Sequence, residues 1–158
     1  MTAYVILDVG CGQGLALELF ANHGFIPIGI TLEKEELKIC RQKGFEVYAM
    51  DQSFLDFANE SFDFIWCRHC LEHSIFPFYT LGEFFRVLKS KRFLYVEVPA
   101  PDTSCEHQTN QNHYIVLGQS AWIELIKRTG FHLTNVFNID FKVDAGFDRY
   151  HVFIQRKP

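Results

Sequence analysis

No apolar run in this chain is long enough to span a bilayer, and no leader-like segment is read at its start, so neither a membrane span nor export is expected. A basic stripe is missing as well. Fifteen Lys and Arg stand against 19 Asp and Glu, a formal net charge of -4, and the basic residues are scattered or sit in short groups such as KSKR (89–92). Such a distribution argues against a nucleic-acid partner. Cysteine is present but unorganised: five residues, at positions 11, 40, 67, 70 and 105, lack the even number and regular spacing of a secreted disulfide framework. A reducing, cytoplasmic location is expected. Internal repeats and low-complexity tracts are not found. What the chain has in quantity is apolar side chain, 48% of its 158 residues with 17 Phe among them. That suffices for one core, while the length is too short for two ordinary domains, so a single domain over 1–158 is expected.

Apolar runs alternate with amphipathic helical patterns in the order of a doubly wound α/β sheet. Strands are expected at YVILDV (4–9), FIPIGI (25–30), FEVYAM (45–50), FDFIWC (62–67) and FLYVEV (93–98), with Pro27 pointing the second toward a sheet edge. One helix runs through Leu15, Leu19 and Phe20. The next has Glu33, Glu35 and Glu36 in its first turn, Arg41 and Lys43 in its last, and Gly44 as its stop. A third carries Leu81, Phe84, Phe85 and Leu88 on one face. KSKR reads as a solvated turn before the fifth strand, and 99–118 as a long loop of the kind that is usually functional. After a helix near 120–129 closed by Gly130, HLTNVFNI (132–139) and RYHVFIQ (149–155) read as an antiparallel edge hairpin. The expected fold is a Rossmann-like doubly wound sheet of about seven strands, mostly parallel.

The strongest motif is DVGCGQG (8–14), leaving the first strand and opening the first helix. Glycines there let the backbone turn sharply and let a ligand approach the main chain near helix amides. The spacing is Gly10, Gly12, Gly14, with Leu15 where a dinucleotide fingerprint needs its third glycine, which argues against a dinucleotide. This loop, AMDQSFLDF after the third strand, SFDFIWCRHCLEH at the fourth, FFRVLKSKRFLYVEVP around the fifth and the WIELIKRTGF helix together resemble the class I S-adenosylmethionine-dependent methyltransferases, in their type 11, ubiquinone-biosynthesis-like branch. The likeness covers nearly the whole chain.

The resemblance implies S-adenosyl-L-methionine as cofactor, leaving as S-adenosyl-L-homocysteine. It implies that Gly10, Cys11, Gly12 and Gly14 wrap the methionine part, and that Asp8 orders the loop and reaches the amino group. Asp51 would accept from the adenine amino group, with Gln52 and Ser53 beside it, and Cys67 completes the cofactor-binding set at the end of the fourth strand. Most members hold the ribose hydroxyls with an acid after the second strand; this chain has Thr31 there, and Glu33 as the substitute carboxylate. Many members also fold leading helices over the cofactor. This chain begins almost at the first strand, so the site is expected to be open, or covered by a homodimer mate or another partner chain.

A sulfonium already activates the methyl group, so the protein must align a nucleophile and, for an O–H or N–H acceptor, take its proton. The candidates are His69 and His73 after the fourth strand, and Asp102, His107 and His113 in the loop after the fifth; His69, His73 and His113 form the acceptor-side set. Tyr114 and IFPFY (75–79) read as an apolar rim. RHCLEHS (68–74) also spells H-x-x-E-H with His69, Glu72 and His73, the zinc spacing of an inverted metallopeptidase. Its place at the exit of a buried strand, rather than on one helix, argues against that reading. A mixed site of His69, Glu72, His73 and a later His stays open, as does chemistry of the Cys67/Cys70 pair, but no metal is expected. The expected activity is methyl transfer to an oxygen or nitrogen of a small or medium-sized acceptor. One alternative is a cofactor-binding module without its own catalysis. Another is a metal-assisted RNA 2'-O-methyltransferase, disfavoured by the acidic charge and by His69 standing where such enzymes have Glu.

Overall fold

Leu7 and Val9 join a core on one side of the first strand while Ile6 and Asp8 point to the other, and all four are buried. A strand hidden on both faces belongs at the centre of a parallel sheet. In the computed structural model, which describes residues 3–158, it is β1 (Val5–Val9) of a seven-stranded sheet. The first two residues of the expected domain lie outside the described residues. There follow α1 (Leu15–Asn22), β2 (Ile26–Thr31), α2 (Lys34–Gln42), β3 (Glu46–Ala49), β4 (Phe62–Arg68), α3 (Pro77–Val87), β5 (Leu88–Pro99), α4 (Gln119–Arg128), β6 (His132–Val143) and β7 (Gly146–Arg156).

The strand order is β3-β2-β1-β4-β5-β7-β6, parallel from β3 to β5, with β7 antiparallel to both β5 and β6. The doubly wound sheet with its antiparallel edge hairpin is therefore as expected. Each face has its own packed layer. Leu81, Phe84 and Val87 of α3 and Trp122 and Ile126 of α4 close over Leu7, Val9, Ile65, Cys67 and Val96. On the opposite face Leu17 of α1 and Leu37 and Cys40 of α2 pack with Cys11 and Val47. The order reverses between β1 and β4, and the loops leaving those two strands open a crevice at their carboxyl ends.

Three local expectations are corrected. The strand bearing Pro27 is not an edge: β2 is paired on both sides. Ile26 donates its amide to Tyr4, so the Pro27 nitrogen faces β3, whose ladder begins only at Ile28 and needs no donor there. Leu88 ends no helix; it starts β5 opposite Phe62, and KSKR is a bulge inside that strand rather than a solvated turn. Two of its three charges have a partner, since Lys89 and Arg92 lie 2.8 and 3.3 Å from the buried carboxylate of Asp63, which also accepts from the Val5 amide at 3.1 Å, while Lys91 is exposed. Asp63→Ala leaves that amide and two cations unpaired. It is expected to cost about 1–3 kcal/mol, read as a lower melting temperature, with cofactor affinity unchanged because Asp63 lies far from the crevice.

Candidate active-site cleft

The loop after β1 is shaped by three glycines with φ of 70°, 53° and 88° at Gly10, Gly12 and Gly14. The amides of Gly10 and Cys11 both donate to the Ile30 carbonyl at 3.0 Å, which ties the loop to the end of β2. A Cβ at Gly10 would sit 2.8 Å from Cys70 Sγ, whereas one at Gly12 would meet nothing within 4 Å. Gly10 is therefore required by the packing beneath the loop, and Gly12 by its left-handed backbone beside an open space.

That space is a cleft of about 530 Å³. At its β2–β3 end lie Thr31, Glu33, Glu36, Asp51 and Gln52; at the other lie His69, Cys70, His73, Asn112 and Tyr114. Thr31 donates to Glu36 at 2.6 Å and accepts from the Glu33 amide, so the carboxylate hydrogen-bonded to the threonine is that of Glu36. Gln52 donates to the Cys70 carbonyl at 2.8 Å, and its buried Oε1 has no partner among the described residues. One oxygen of Asp51 accepts from the Ser53 amide at 2.7 Å, a turn interaction, and the side chain still lines the cleft.

Across the loop is a second hollow of about 390 Å³, lined by Asp8, Gly10, Gly12, Gln13, Leu15, Trp66 and Arg68. Gly10 and Gly12 belong to both hollows. Asp8 is buried there, its Oδ2 has no partner among the described residues, and desolvation pushes its carboxyl up to about 7. Among the described residues no side-chain hydrogen bond runs from Asp8 to the loop, so the expected loop-ordering contact is not made; the carboxyl faces a hollow instead. Arg68 spends its Nε on Glu97 at 3.0 Å.

The histidines separate into distinct roles. His69 sits in the left-handed region at φ 52°, its Nε2 2.6 Å from Glu97 and its ring stacked on Tyr150 at 4.1 Å. His73 also lines the cleft and donates Nδ1–H to the Asn112 carbonyl at 2.7 Å. His113 does not line it: it lies edge-on behind His73, donates Nδ1–H to the His107 carbonyl at 3.0 Å, and burial lowers its pKa. His107 instead bonds Asp148 at 3.0 Å and fastens the 100–113 loop to β7, while Asp102 occupies a turn of that loop away from the cleft.

Other expectations need correction for physical reasons. The Cys67 side chain points into the α3–α4 core and is fully buried, because alternation along β4 sends Trp66 and Arg68 to the opposite face. Ser53 is turned inward, where its hydroxyl lies 2.7 Å from that of Thr80. Gly14 packs over Cys40 as the N-cap of α1, and the Cys11 side chain enters the α1–α2 cluster. Tyr114 lines the cleft, whereas Ile75, Phe76, Phe78 and Tyr79 are exposed but do not. His69, turned to Glu97, is not grouped with Glu72 and His73. Ligand atoms within 4.8 Å of one another are instead supplied by Glu72, His73 and His113, and separately by Cys105, His107 and Asp148. Glu72 is buried with Oε2 unpartnered, and burial pushes it up to about 7.

The family profile described as "Methyltransferase domain" matches residues 7–96, more than half of the chain, from within β1 through most of β5. The chain belongs to the methyltransferase domain family. Among curated relatives of this methyltransferase domain, a ubiquinone biosynthesis O-methyltransferase of Vibrio campbellii is 32% identical over 75 residues, taking in 43% of this chain and 32% of the relative. The chain thus spans about a third of that relative's length. Among solved structures, a SAM-dependent methyltransferase of Methanosarcina mazei superposes with a TM-score of 0.83 at 19% identity, over 99% of this chain and 93% of the other. A 1,6-didemethyltoxoflavin-N1-methyltransferase of Burkholderia thailandensis gives 0.80 at 21% identity, over 98% and 71%. These likenesses establish the fold of the methyltransferase domain, and the chemistry has to be argued from the cleft.

Proposed function

We propose that this methyltransferase domain binds S-adenosyl-L-methionine across the glycine loop and transfers its methyl group to an oxygen or nitrogen of a small or medium-sized acceptor. The observation that carries the reading is the pair of hollows sharing Gly10 and Gly12, one end of which offers groups for an amino acid and the other groups for a nucleoside. Asp8 is an unpartnered carboxyl for an ammonium group, and Arg68 a guanidinium for a carboxylate. Thr31 and Glu36 face the place of a ribose diol. Asp51 and the unpartnered Gln52 Oε1 are acceptors for an adenine amino group. A cleft of about 530 Å³ has the size of a small-molecule site.

The cofactor supplies an electrophilic methyl on a sulfonium. The protein's part is to align the acceptor from the His69 and His73 side and to remove its proton. Net charge of -4 and scattered basic residues favour a small acceptor over a nucleic acid, and no helix among the described residues is long and apolar enough to cross a membrane. A mate or partner chain covering the cleft is part of the proposal. The test is transfer of labelled methyl from S-adenosyl-L-methionine to a panel of phenols, alcohols and amines. Label in an acceptor is the expected result; cofactor binding without S-adenosyl-L-homocysteine formation on any of them would favour a binding module instead.

A further inference from the structure

Glu97, in β5, is absent from the sequence-based site, yet it holds His69, which lines the acceptor side of the cleft. Its neighbour across the ladder is Arg68, and its carbonyl accepts the amide of His69 at 2.9 Å. The side chain is 4% exposed. Oε1 accepts from Arg68 Nε at 3.0 Å and lies 2.6 Å from His69 Nε2, while Oε2 accepts from the Tyr95 hydroxyl at 2.5 Å. Burial opposes ionisation here, but the His69, Tyr95 and Arg68 donors outweigh it and hold the Glu97 carboxyl below its usual range.

An ionised carboxylate can only accept, so His69 must carry its proton on Nε2. Nδ1 is then the ring's lone pair, and it has no hydrogen-bond partner among the described residues. A flip that offered Nε2 to the cleft would break the 2.6 Å bond and the stack on Tyr150 at 4.1 Å. His69 is thus fixed by its backbone amide, its ring edge and its ring face.

We propose that Glu97 is a positioning residue: it holds His69 in the Nε2–H tautomer, so that the Nδ1 lone pair is the base presented to an O–H or N–H acceptor. The inference rests on the methyl-transfer reading above. As the acceptor atom bonds to the methyl carbon, the carbon–sulfur bond breaks with its electron pair staying on sulfur, which passes from sulfonium to thioether. Nδ1 takes the acceptor's proton. Glu97 remains ionised opposite the imidazolium that forms, stabilising and orienting it.

The test is long-range ¹⁵N–¹H correlation on histidine-labelled full chain with S-adenosyl-L-homocysteine present, reading which His69 nitrogen carries hydrogen. Wild type should favour Nε2–H roughly tenfold or more, the worth of a hydrogen bond to a charged group. Glu97→Gln keeps an acceptor oxygen and should keep that tautomer; Glu97→Leu should lose the preference while calorimetry shows homocysteine-product affinity within about threefold of wild type. A proton on Nδ1 in wild type would overturn the proposal even if Glu97→Leu does not fold. So would an unchanged tautomer in a folded Glu97→Leu. Failure of the cofactor to bind wild-type protein would sink the methyl-transfer reading separately, leaving the tautomer measurement intact.

Discussion

Replacing Asp8 by Asn is expected to weaken S-adenosyl-L-methionine binding roughly 30- to 100-fold, the loss of one hydrogen bond to a charged group in a desolvated site. The same change should make the empty protein more stable at high pH. Asp8 is buried with an unpartnered Oδ2, and its carboxyl is pushed up to about 7 by desolvation. A folded value above the ordinary carboxyl value favours the fold fully only below about pH 4, and that contribution is lost as pH climbs through about 7. Asn is neutral throughout and nearly the same shape. Its melting temperature should exceed wild type by roughly 5 °C at about pH 8 and match it near pH 4. Calorimetry and thermal melts on the two proteins check both halves. A variant that loses stability at pH 8, or keeps full affinity, would mean that Asp8 is already satisfied by something other than a ligand cation.

The second large effect separates two glycines two residues apart in the loop after β1, Gly10 and Gly12. Gly12→Val should abolish cofactor binding, by more than about 100-fold, while lowering stability only by the cost of a β-branched residue at positive φ, about 1–3 kcal/mol. Among the described residues, chain neighbours aside, nothing lies within 4 Å of a Cβ at Gly12, so the new side chain fills the hollow rather than the core. Gly10→Ala carries strain of the same origin and in addition drives its methyl to 2.8 Å from Cys70 Sγ. It should be the less stable of the two even though its side chain is smaller. Melting curves beside binding isotherms read the contrast, and equal stability of the two variants would contradict the packing described beneath the loop.

Much of the fold was legible because its signals are local and periodic. The buried runs of β1, β4 and β5 are nearly continuous in apolar residues, and glycine punctuates the helices where it should. The glycine loop announced the cleft by spacing alone. What the sequence could not give was direction across the sheet. Cys67 and Arg68 are neighbours in the chain, yet pleating sends one into the core and the other into the second hollow. Glu33 drew attention as the substitute acid, but Glu36, one helical turn further, is the carboxylate that meets Thr31; the i, i+3 spacing within the first turn was the available clue. Glu97 read only as a polar residue in an apolar strand. Its importance comes from β4–β5 pairing, which places it opposite Arg68 and beside His69, and no local pattern encodes that. The KSKR bulge was missed because its charges look solvated until Asp63 is brought beneath them.

If the proposed function holds, the two hollows around Gly10 and Gly12 form one S-adenosyl-L-methionine site. Isothermal titration of the full chain with S-adenosyl-L-homocysteine, in buffers of different ionisation enthalpy, tests this most directly. The expected result is a one-to-one isotherm accompanied by release of close to one proton at about pH 6, as the ligand ammonium ionises Asp8, and by almost none at about pH 8.5. Absence of any binding heat at millimolar S-adenosyl-L-homocysteine and S-adenosyl-L-methionine, in every buffer, would contradict it.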